Sequence, residues 1–419
     1  MMDMLCDDVQ REIISHLDSI QDIQLVSKHF NYIANTSKLY FEGHQNSTIF
    51  SLKALRQYMS HNNSDMTKFR MPWATEIDLA TDFDDFNAID PEILMKALKI
   101  IFYQEKKRHL ILNSCSWALP GLPKFLSGYK FERILFSGHY TLNQNANQGL
   151  VFSAKEVQVP ASIYPFLNFV EVESLSLCLD YVNAEIGLEH DSVLKAFNSK
   201  ESKNLKSLYI YGPFFTNTIF SEFVIDSKLL ALKKLELNGQ SCIWHDARIF
   251  QLCCPNLEHL KISASNLICD DLDYFDWTLW PRLKSLSLED NFTLKEIKNW
   301  PPNLEHLNVL DTSIQLHNEK NFDTSAIKTL ATACSTNAQW SEYFQLPALE
   351  SLTIKLEHFI SGPQYKSRKN LSPEFFWTQI NKISNLKVVS VEFLERLKYK
   401  HLFKELRNYL KPGIFLNAT

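Results

Sequence analysis

The sequence predicts an α/β solenoid, in which short parallel strands from successive repeats stack side by side. The main observation is a cassette that reads proline, any residue, then Leu-x-x-Leu-x-Leu or a close apolar equivalent. It occurs at 255–262, 281–288, 302–309 and 347–354. The second observation is that the last two apolar positions are two residues apart, which places both side chains on one face of a strand. Such a strand becomes stable when the next copy packs beside it.

Weaker copies extend the series in both directions, at 77–79, 110–112, 134–136, 157–159, 172–177, 205–210, 232–237 and 386–391. From Leu208 to Leu307 the second apolar position recurs at steps of 27, 25, 26 and 21 residues, and a degenerate copy near Leu330 precedes Leu352. These steps match the roughly 20–29-residue period of leucine-rich repeats. We therefore predict an irregular leucine-rich repeat horseshoe over 73–398. An ordinary α/β domain with parallel strands is the alternative, and four near-identical cassettes argue against it.

Composition narrows the class of protein further. The net charge of −5 does not favour general nucleic-acid binding. No run of 18 apolar residues is present, so we expect no membrane span. The eight cysteines form no regular framework, and no signal-peptide pattern is visible at the start. We expect free thiols in a reducing compartment, either the cytoplasm or the nucleus or both.

A small helical module is predicted at the N-terminus. Its first stretch has an apolar stripe with a spacing of about four residues, as on one face of a helix. The stripe consists of Leu5, Val9, Ile13, Ile14 and Leu17. A second stretch, 22–34, has apolar residues at three-to-four spacing. A module of this size buries too little surface to be robust alone, so it needs the repeats or a partner.

Residues 3–42 resemble an F-box. The family pattern opens with Leu-Pro-x-Glu-[Leu/Val]-x-x-x-Ile-[Ile/Phe]-x-x-Leu and closes with Leu-Val-[Cys/Ser]-Lys-x-[Phe/Trp]-x-x-[Leu/Ile]-Ala. The matching residues are Leu5, Asp8, Val9, Ile13, Ile14 and Leu17 at the opening, and Leu25, Val26, Ser27, Lys28, Phe30, Ile33 and Ala34 at the close. Cys6 stands where the family has proline, and the stretch between Leu17 and Leu25 is shorter than in the family pattern.

An F-box followed by leucine-rich repeats resembles the substrate receptors of SCF ubiquitin ligases. The resemblance implies that the F-box docks on the Skp adaptor, which is bound to a cullin, and that the repeats hold a protein substrate. Residues 43–72 would form a linker, and residues 399–419 a capping helix and tail. The implied adaptor-binding residues are Leu5, Val9, Ile13, Ile14, Leu17, Leu25, Val26 and Phe30.

Three alternatives remain open at this point. Residues 5–34 could serve only as a cap of the solenoid. The chain could be an F-box and leucine-rich repeat scaffold in a non-proteolytic complex, in which the adaptor serves stability. It could also be a repeat scaffold that does not bind the adaptor.

Residues between the apolar positions are expected on the concave face of the sheet, where substrate would bind. The candidate binding residues are Tyr209, Tyr211, Glu236, Asn238, His259, Lys261, Ser287, His306 and Asn308. Tyr209 and Tyr211 are the best anchors, because tyrosine is enriched at binding hot spots. For any one of these residues the alternative is an ordinary solvated position. The face has scattered lysines and no arginine cluster, so recognition of a phosphorylated motif is not predicted.

No catalytic pattern is present, and we expect neither an enzyme nor a bound cofactor. The sequence has no glycine-rich phosphate loop and no nucleophile elbow. A set of possible zinc ligands, namely Cys242, His245, Cys253, Cys254 and His259, does not have zinc-site spacing. We expect buried cysteines at a repeat turn and no metal. Loops 142–148 and 361–370 either reach over the concave face or are disordered insertions.

Overall fold

The computed structural model describes residues 49–61, 75–80, 89–102, 109–113, 119, 121–137, 150–179, 195–196, 200–215, 229–242, 253–264, 277–289, 293–294, 301–310, 313–314, 326–333, 346–356, 380–393 and 407–418. Packing divides the chain into two compact units, residues 1–175 and 176–419. Both units are built on parallel strands that follow one another in chain order, as in a solenoid-like repeat protein.

In the described part of the first unit, five parallel strands pair in chain order, and a sixth strand lies beside the fifth. These are β1 (Ile49–Ser51), β2 (Glu76–Asp78), β3 (His109–Leu112), β4 (Lys130–Phe136), β5 (Val151–Pro160) and β6 (Asn168–Val170). The central buried residues of β1 to β5 are direct register partners, namely Phe50, Ile77, Leu110, Ile134 and Val157. One face of the strands therefore forms the core of this unit.

Among its described residues, this unit contains the helices α1 (Leu52–His61), α2 (Pro91–Phe102) and α3 (Leu122–Leu126). α1 follows β1 directly. The Ser51 hydroxyl, at the end of β1, accepts the Ala54 N–H at 3.2 Å and so caps the start of the helix. The carboxylate of Asp90 caps α2 in the same way, accepting the Glu92 N–H at 2.8 Å, with proline at the first helical position. A 3₁₀ helix, Tyr164–Phe166, lies between β5 and β6.

Where the structure describes the second unit, nine parallel strands pair in chain order. They are β8 (Ser207–Phe215), β9 (Lys234–Cys242), β10 (His259–Ala264), β11 (Ser285–Glu289), β13 (His306–Val309), β15 (Thr329–Ala333), β16 (Ser351–Leu356), β17 (Val388–Phe393) and β18 (Phe415–Ala418). β7 (Ser174–Cys178) spans the unit boundary. A separate pair consists of β12 (Thr293–Leu294) and β14 (Ser313–Ile314). Two 3₁₀ helices, Lys200–Asn204 and Trp277–Leu279, precede β8 and β11.

Two rows of buried apolar side chains run through the second unit. The first row joins direct register partners, namely Leu208, Leu235, Leu260, Leu286, Leu307, Leu330, Leu352 and Val389. The second row lies two residues further along each strand, and each of its members is less than 9% exposed; all of them are apolar except Thr332 of β15. The predicted repeat frames are thereby confirmed, including the degenerate copy at Leu330. Burying each leucine contributes about 1.5–3 kcal/mol of transfer free energy.

Each cassette proline lies in a tight turn just before its strand. In the turn 254–257, the Leu257 N–H donates to the Cys254 carbonyl at 3.2 Å, and turns 280–283 and 346–349 have the same bond at 3.0 and 3.2 Å. Proline suits the second position of such a turn because its φ is already fixed near the required value. The proline therefore presets the turn that brings the first cassette leucine into the core.

Asparagine side chains connect successive turns. The Asn256 amide donates to the Leu230 carbonyl of the preceding repeat at 2.9 Å, and the Asn303 amide donates to the Pro281 carbonyl at 2.7 Å. Asn385 contacts the Pro347 carbonyl at 2.6 Å. Each of these bonds satisfies a turn carbonyl that has no partner within its own turn.

In both units, strands lie outside the range 73–398 predicted for the repeats. The first unit includes β1, inside the predicted linker, and the second unit includes β18, inside the predicted C-terminal tail. β1 has only one buried residue, Phe50, so its three residues give no visible alternation. Of the predicted helix near 399–410, the described part is helical over 407–409. The predicted F-box, residues 3–42, lies outside the described residues.

A column of alternating charges runs along the start of the strands in the second unit. It consists of Lys233, Glu258, Lys284, Glu305, Lys328, Glu350 and Lys387, each directly after the first apolar residue of its frame. The backbone N–H of each member from Glu258 onward donates to the carbonyl of the preceding member at 2.8 Å. The Lys233 N–H donates at the same distance to Lys206, which has the equivalent position in the preceding frame and the same charge as Lys233, so the alternation begins at Lys233. Because the residues are held in this register, side chains of opposite charge lie next to one another.

Ion pairs form between neighbours in this charge column. Lys233 lies 2.9 Å from Glu258, Lys328 lies 2.6 Å from Glu305, and Lys387 lies 2.8 Å from Glu350. The hydrogen bond from the neighbouring lysine lowers the pKa of each of these three glutamates below the ordinary value of 4.5. The glutamates are therefore charged at neutral pH, and from Lys233 to Lys387 the alternation places opposite charges, not like charges, next to one another.

We expect the substitution Glu305→Lys to destabilise the second unit more than Glu305→Gln does. The glutamine removes an attraction, whereas the lysine also adds repulsion toward Lys284 and Lys328. Urea unfolding followed by circular dichroism measures the difference. Equal unfolding midpoints for the two variants would show that the column contributes nothing to the order of the repeats.

We also expect stability to fall in acid. A carboxyl group whose folded pKa is lowered stabilises the fold fully above its unfolded pKa, near 4.5, and this contribution is lost as the pH falls through the folded value. Thermal unfolding recorded from about pH 7 to about pH 3 should show the loss beginning near the unfolded pKa. The double variant Glu258→Gln with Glu305→Gln should show a smaller acid-dependent decrease. A decrease as large as in the unaltered protein would contradict this assignment.

Candidate binding surface on the open face of the sheet

The open face is the face of the second-unit sheet opposite the buried apolar rows. All nine predicted substrate-binding residues lie on it, on the adjacent strands β8, β9, β10, β11 and β13. They are Tyr209, Tyr211, Glu236, Asn238, His259, Lys261, Ser287, His306 and Asn308. Each is half-buried or exposed. The structure thus brings them together on one face, because they occupy alternate positions with the buried leucines.

Parallel register places five of these residues in one transverse row. Tyr209, Glu236, Lys261, Ser287 and Asn308 are consecutive register partners across the five strands. The face therefore changes along the row from an aromatic side, through a charged middle, to a hydroxyl and amide side. A bound partner would meet these chemistries in that order.

Tyr209 and Tyr211 form the aromatic side of the face, and we call them the tyrosine pair. Their ring centroids are 6.2 Å apart and their planes differ by 12°, so the rings are nearly parallel. Both side chains are half-buried. The pair presents rigid aromatic surface whose hydroxyl groups can still form hydrogen bonds.

Lys234 connects the tyrosine pair to the charged middle of the face. Its ammonium lies 5.1 Å from the centre of the Tyr209 ring and 2.8 Å from the Glu236 carboxylate. The hydrogen bond with Glu236 raises the pKa of Lys234 above its ordinary value. Its position on this face follows from the predicted strand frame, although Lys234 was not in the predicted set of binding residues. The signal for it was the pattern Lys-x-Glu, which puts opposite charges on one face of a strand.

Tyr211 is held as a neutral phenol. Desolvation, followed by the negative charge of Glu236, raises the pKa of Tyr211 to about 12. The hydroxyl is therefore protonated throughout the physiological range and is available as a hydrogen-bond donor.

Glu289, at the end of β11, forms three side-chain contacts on the open face. Its carboxylate lies 2.6 Å from the Lys261 ammonium, accepts the Ser287 hydroxyl at 2.9 Å and accepts the Asn308 amide at 3.1 Å. Three of the predicted binding residues are thus fixed by one carboxylate that was not in the predicted set. The charge of Lys261 is balanced within the face.

The two histidines of the face differ in their surroundings. Desolvation lowers the pKa of His259, so its imidazole is neutral at physiological pH. His306 Nδ1 is hydrogen-bonded to the Thr329 hydroxyl at 2.8 Å. Within the described part of the chain, no group of three or more His, Cys, Asp or Glu side chains is arranged to hold a metal ion.

Cys253 and Cys254 lie at the turn before β10, as predicted, and both are buried. Burial raises the pKa of Cys253 to about 11 and raises that of Cys254 as well. Both groups are therefore protonated thiols in the folded protein. Of the other residues considered as zinc ligands, His245 lies outside the described ranges.

The predicted adaptor-binding residues lie at 5–30, outside the residues that the structure describes. The same applies to loops 142–148 and 361–370. The predicted roles of these segments remain predictions.

No protein-family model matches this chain, and no curated protein is significantly similar to it. Among the helices in the described ranges, none combines the length and apolar character needed to cross a bilayer.

Gly212 allows a close approach beside the tyrosine pair. A Cβ at this position would overlap the Cβ of Leu179, which follows β7. The same approach lets the Leu179 N–H donate to the Tyr211 carbonyl at 2.6 Å. A residue without a side chain is therefore required next to Tyr211.

We expect Gly212→Ala to destabilise the second unit by about 1–3 kcal/mol, because the new methyl group forces backbone or side-chain shifts. Urea unfolding measures the loss. Gly128→Ala is the matched control, since a Cβ there meets only the Phe125 carbonyl at an ordinary 3.5 Å. If both variants unfold at the same urea concentration, the strands are not as closely packed at Gly212 as described.

Proposed function

We propose that this protein is a substrate-recognition subunit of an SCF-type E3 ubiquitin ligase, in which an F-box docks on the Skp adaptor and leucine-rich repeats bind a protein substrate. The observation that carries the proposal is the order of matching residues at both ends of the segment 5–34, placed before a series of repeats. The parallel repeat strands and their polar open face are what such a receptor needs to hold a partner.

A receptor of this kind supplies proximity rather than chemistry. By holding a substrate close to the ligase, it converts ubiquitin transfer into an effectively intramolecular step. The open face suits this role because Lys234 and Lys261 are already paired with carboxylates and the tyrosine pair offers aromatic anchors. The proposal places the protein in the cytoplasm or the nucleus, where these ligases act.

The double substitution Leu5→Asp with Ile13→Asp is expected to abolish adaptor binding. Both positions belong to the apolar stripe proposed to enter the adaptor groove, and a carboxylate in such a groove is costly to desolvate. Affinity purification of the tagged protein from cells, with detection of the adaptor and the cullin, measures the effect.

The matched control is Arg11→Asp with Ser15→Asp, which adds the same number of carboxylates on the opposite side of the predicted helix. This control should retain the adaptor. Recovery of the adaptor with the stripe variant would contradict the docking surface. For the unaltered protein, adaptor without cullin would favour a non-proteolytic scaffold, and neither partner would favour a repeat scaffold outside the ligase.

A further inference from the structure

One transverse row of the open face consists of side chains that can all donate hydrogen bonds, and we call it the donor row. Its members come directly before the first buried row and are consecutive register partners across seven strands. They are Ser207, Lys234, His259, Ser285, His306, Thr329 and Ser351. The row ends at β17, where Val388 has the same place. Because each member carries a hydroxyl, an imidazole or an ammonium group and none carries a carboxylate, the row matches a ligand that is rich in acceptors.

Two histidines stand on either side of a small residue at the centre of the donor row. His259 and His306 are both direct register partners of Ser285, and neighbouring strands are about 4.8 Å apart, so the two histidine backbones are separated by about 10 Å. His306 Nδ1 is hydrogen-bonded to Thr329 on the strand away from Ser285, so its Nε2 remains for a ligand. A carboxylate can accept a hydrogen bond of about 2.8 Å from each imidazole in a gap of this width.

Positive charge is in slight excess around the donor row. From β9 to β15 the row and the charge column beside it contain four lysines and two glutamates. The lysines are Lys233, Lys234, Lys284 and Lys328, and the glutamates are Glu258 and Glu305. Glu236, in the next row of the open face, balances Lys234 at 2.8 Å, which leaves one positive charge in excess. This corner of the face therefore attracts anions although the whole chain has a net charge of −5.

Mild acid adds positive charge at the same place. Desolvation lowers the pKa of His259, and the carboxylate of Glu258 raises it. The positive charges of Lys234, His306 and Lys284, on or just before the neighbouring strands, lower it further. An anion between the histidines would offset these charges, so binding of the anion and protonation of His259 favour each other. Binding should therefore tighten as the pH falls toward about 6, where a glutamate side chain with an ordinary pKa of about 4.3 is still ionised.

A carboxylate suits the donor row better than a phosphate does. Arginine is the residue that forms bidentate contacts with phosphate, and neither the donor row nor the charge column contains one. The neighbouring lysines are already engaged, since Lys284 lies 3.5 Å from Glu258 and Lys328 lies 2.6 Å from Glu305. A group with a single negative charge needs less compensation than a phosphate when it leaves water.

We propose that the donor row binds an acidic, unphosphorylated segment of the substrate, with one carboxylate between His259 and His306 above the Ser285 hydroxyl. The word substrate rests on the proposed function, whereas the binding of an acidic segment does not. The hydroxyl groups along the row supply further donors to the segment, and the two histidines make its affinity depend on pH.

The test uses the purified full-length chain without adaptor or cullin. The probe is a fluorescently labelled, end-blocked peptide of alternating glutamate and alanine, and binding is measured by fluorescence anisotropy. Control peptides of the same length replace glutamate with glutamine, lysine or phosphoserine. At about pH 6 we expect the glutamate peptide to bind about tenfold or more tightly than the glutamine and lysine peptides. Its own affinity should rise about threefold or more between about pH 7.5 and about pH 6, and should fall as salt is added.

One double variant removes the titrating groups and keeps side chains that can donate hydrogen bonds. His259→Gln with His306→Gln should weaken binding at about pH 6 by about tenfold and abolish the rise in affinity toward acid. The matched control is His109→Gln, on β3 of the first unit, which should bind the peptide like the unaltered protein at both pH values. Circular dichroism checks that each variant is folded.

A second measurement keeps the test informative if the double variant does not fold. Hydrogen exchange of the unaltered protein should show protection by the glutamate peptide at 259–264, 285–289 and 306–309, and none at 109–112.

Three results would overturn the proposal: equal binding of the glutamate and glutamine peptides, no tightening in acid, or protection confined to other strands. Tenfold tighter binding of the phosphoserine peptide at about pH 7.5, where the histidines are mainly neutral, would overturn the choice of a carboxylate. Failure here with retained adaptor binding would reject the ligand alone. Loss of adaptor binding with retained peptide binding would reject the ligase role alone.

Discussion

Burial of two side chains per repeat, apolar in every frame except at Thr332 of β15, in register with the next repeat, is the constraint on which the second unit depends. A strand such as β13, with four residues, buries only Leu307 and Val309 and cannot be stable by itself. Pairing in exact step with its neighbours joins these residues into continuous rows. A slip of one residue would move leucines to the open face and polar residues to the core. The core and the open face are therefore fixed by the same register.

That shared register explains why much of the open face could be predicted from the sequence. Once Leu235 and Leu237 are assigned to the core, Glu236 must lie on the other face, and the same holds in each cassette. The prolines made the central frames visible, since they mark the turn before the strand. Even the degenerate frame at Leu330 could be found, because its neighbours fix where a copy must lie.

Other features could not be predicted in the same way. β1 contributes one buried residue, and β18 follows a Pro-Gly turn with no cassette before it, so neither has a repeat pattern of its own. The contact of Lys234 with the Tyr209 ring joins neighbouring strands, and a sequence pattern within one strand does not contain it. The carboxylate of Glu289 likewise contacts side chains on three strands. Such contacts depend on side-chain conformation across the sheet, which periodicity does not specify.

The charge column distinguishes odd from even repeats, because its residues alternate in sign. From Lys233 to Lys387 the sign changes at each step, so each repeat differs in charge from its neighbours but matches the repeat two places away. Loss or gain of a single internal repeat would bring two like charges together at the junction, whereas loss or gain of two would preserve the alternation. Insertion or deletion of repeats in this part of the chain is therefore favoured in pairs. The buried rows alone would allow any number of repeats to be added or removed.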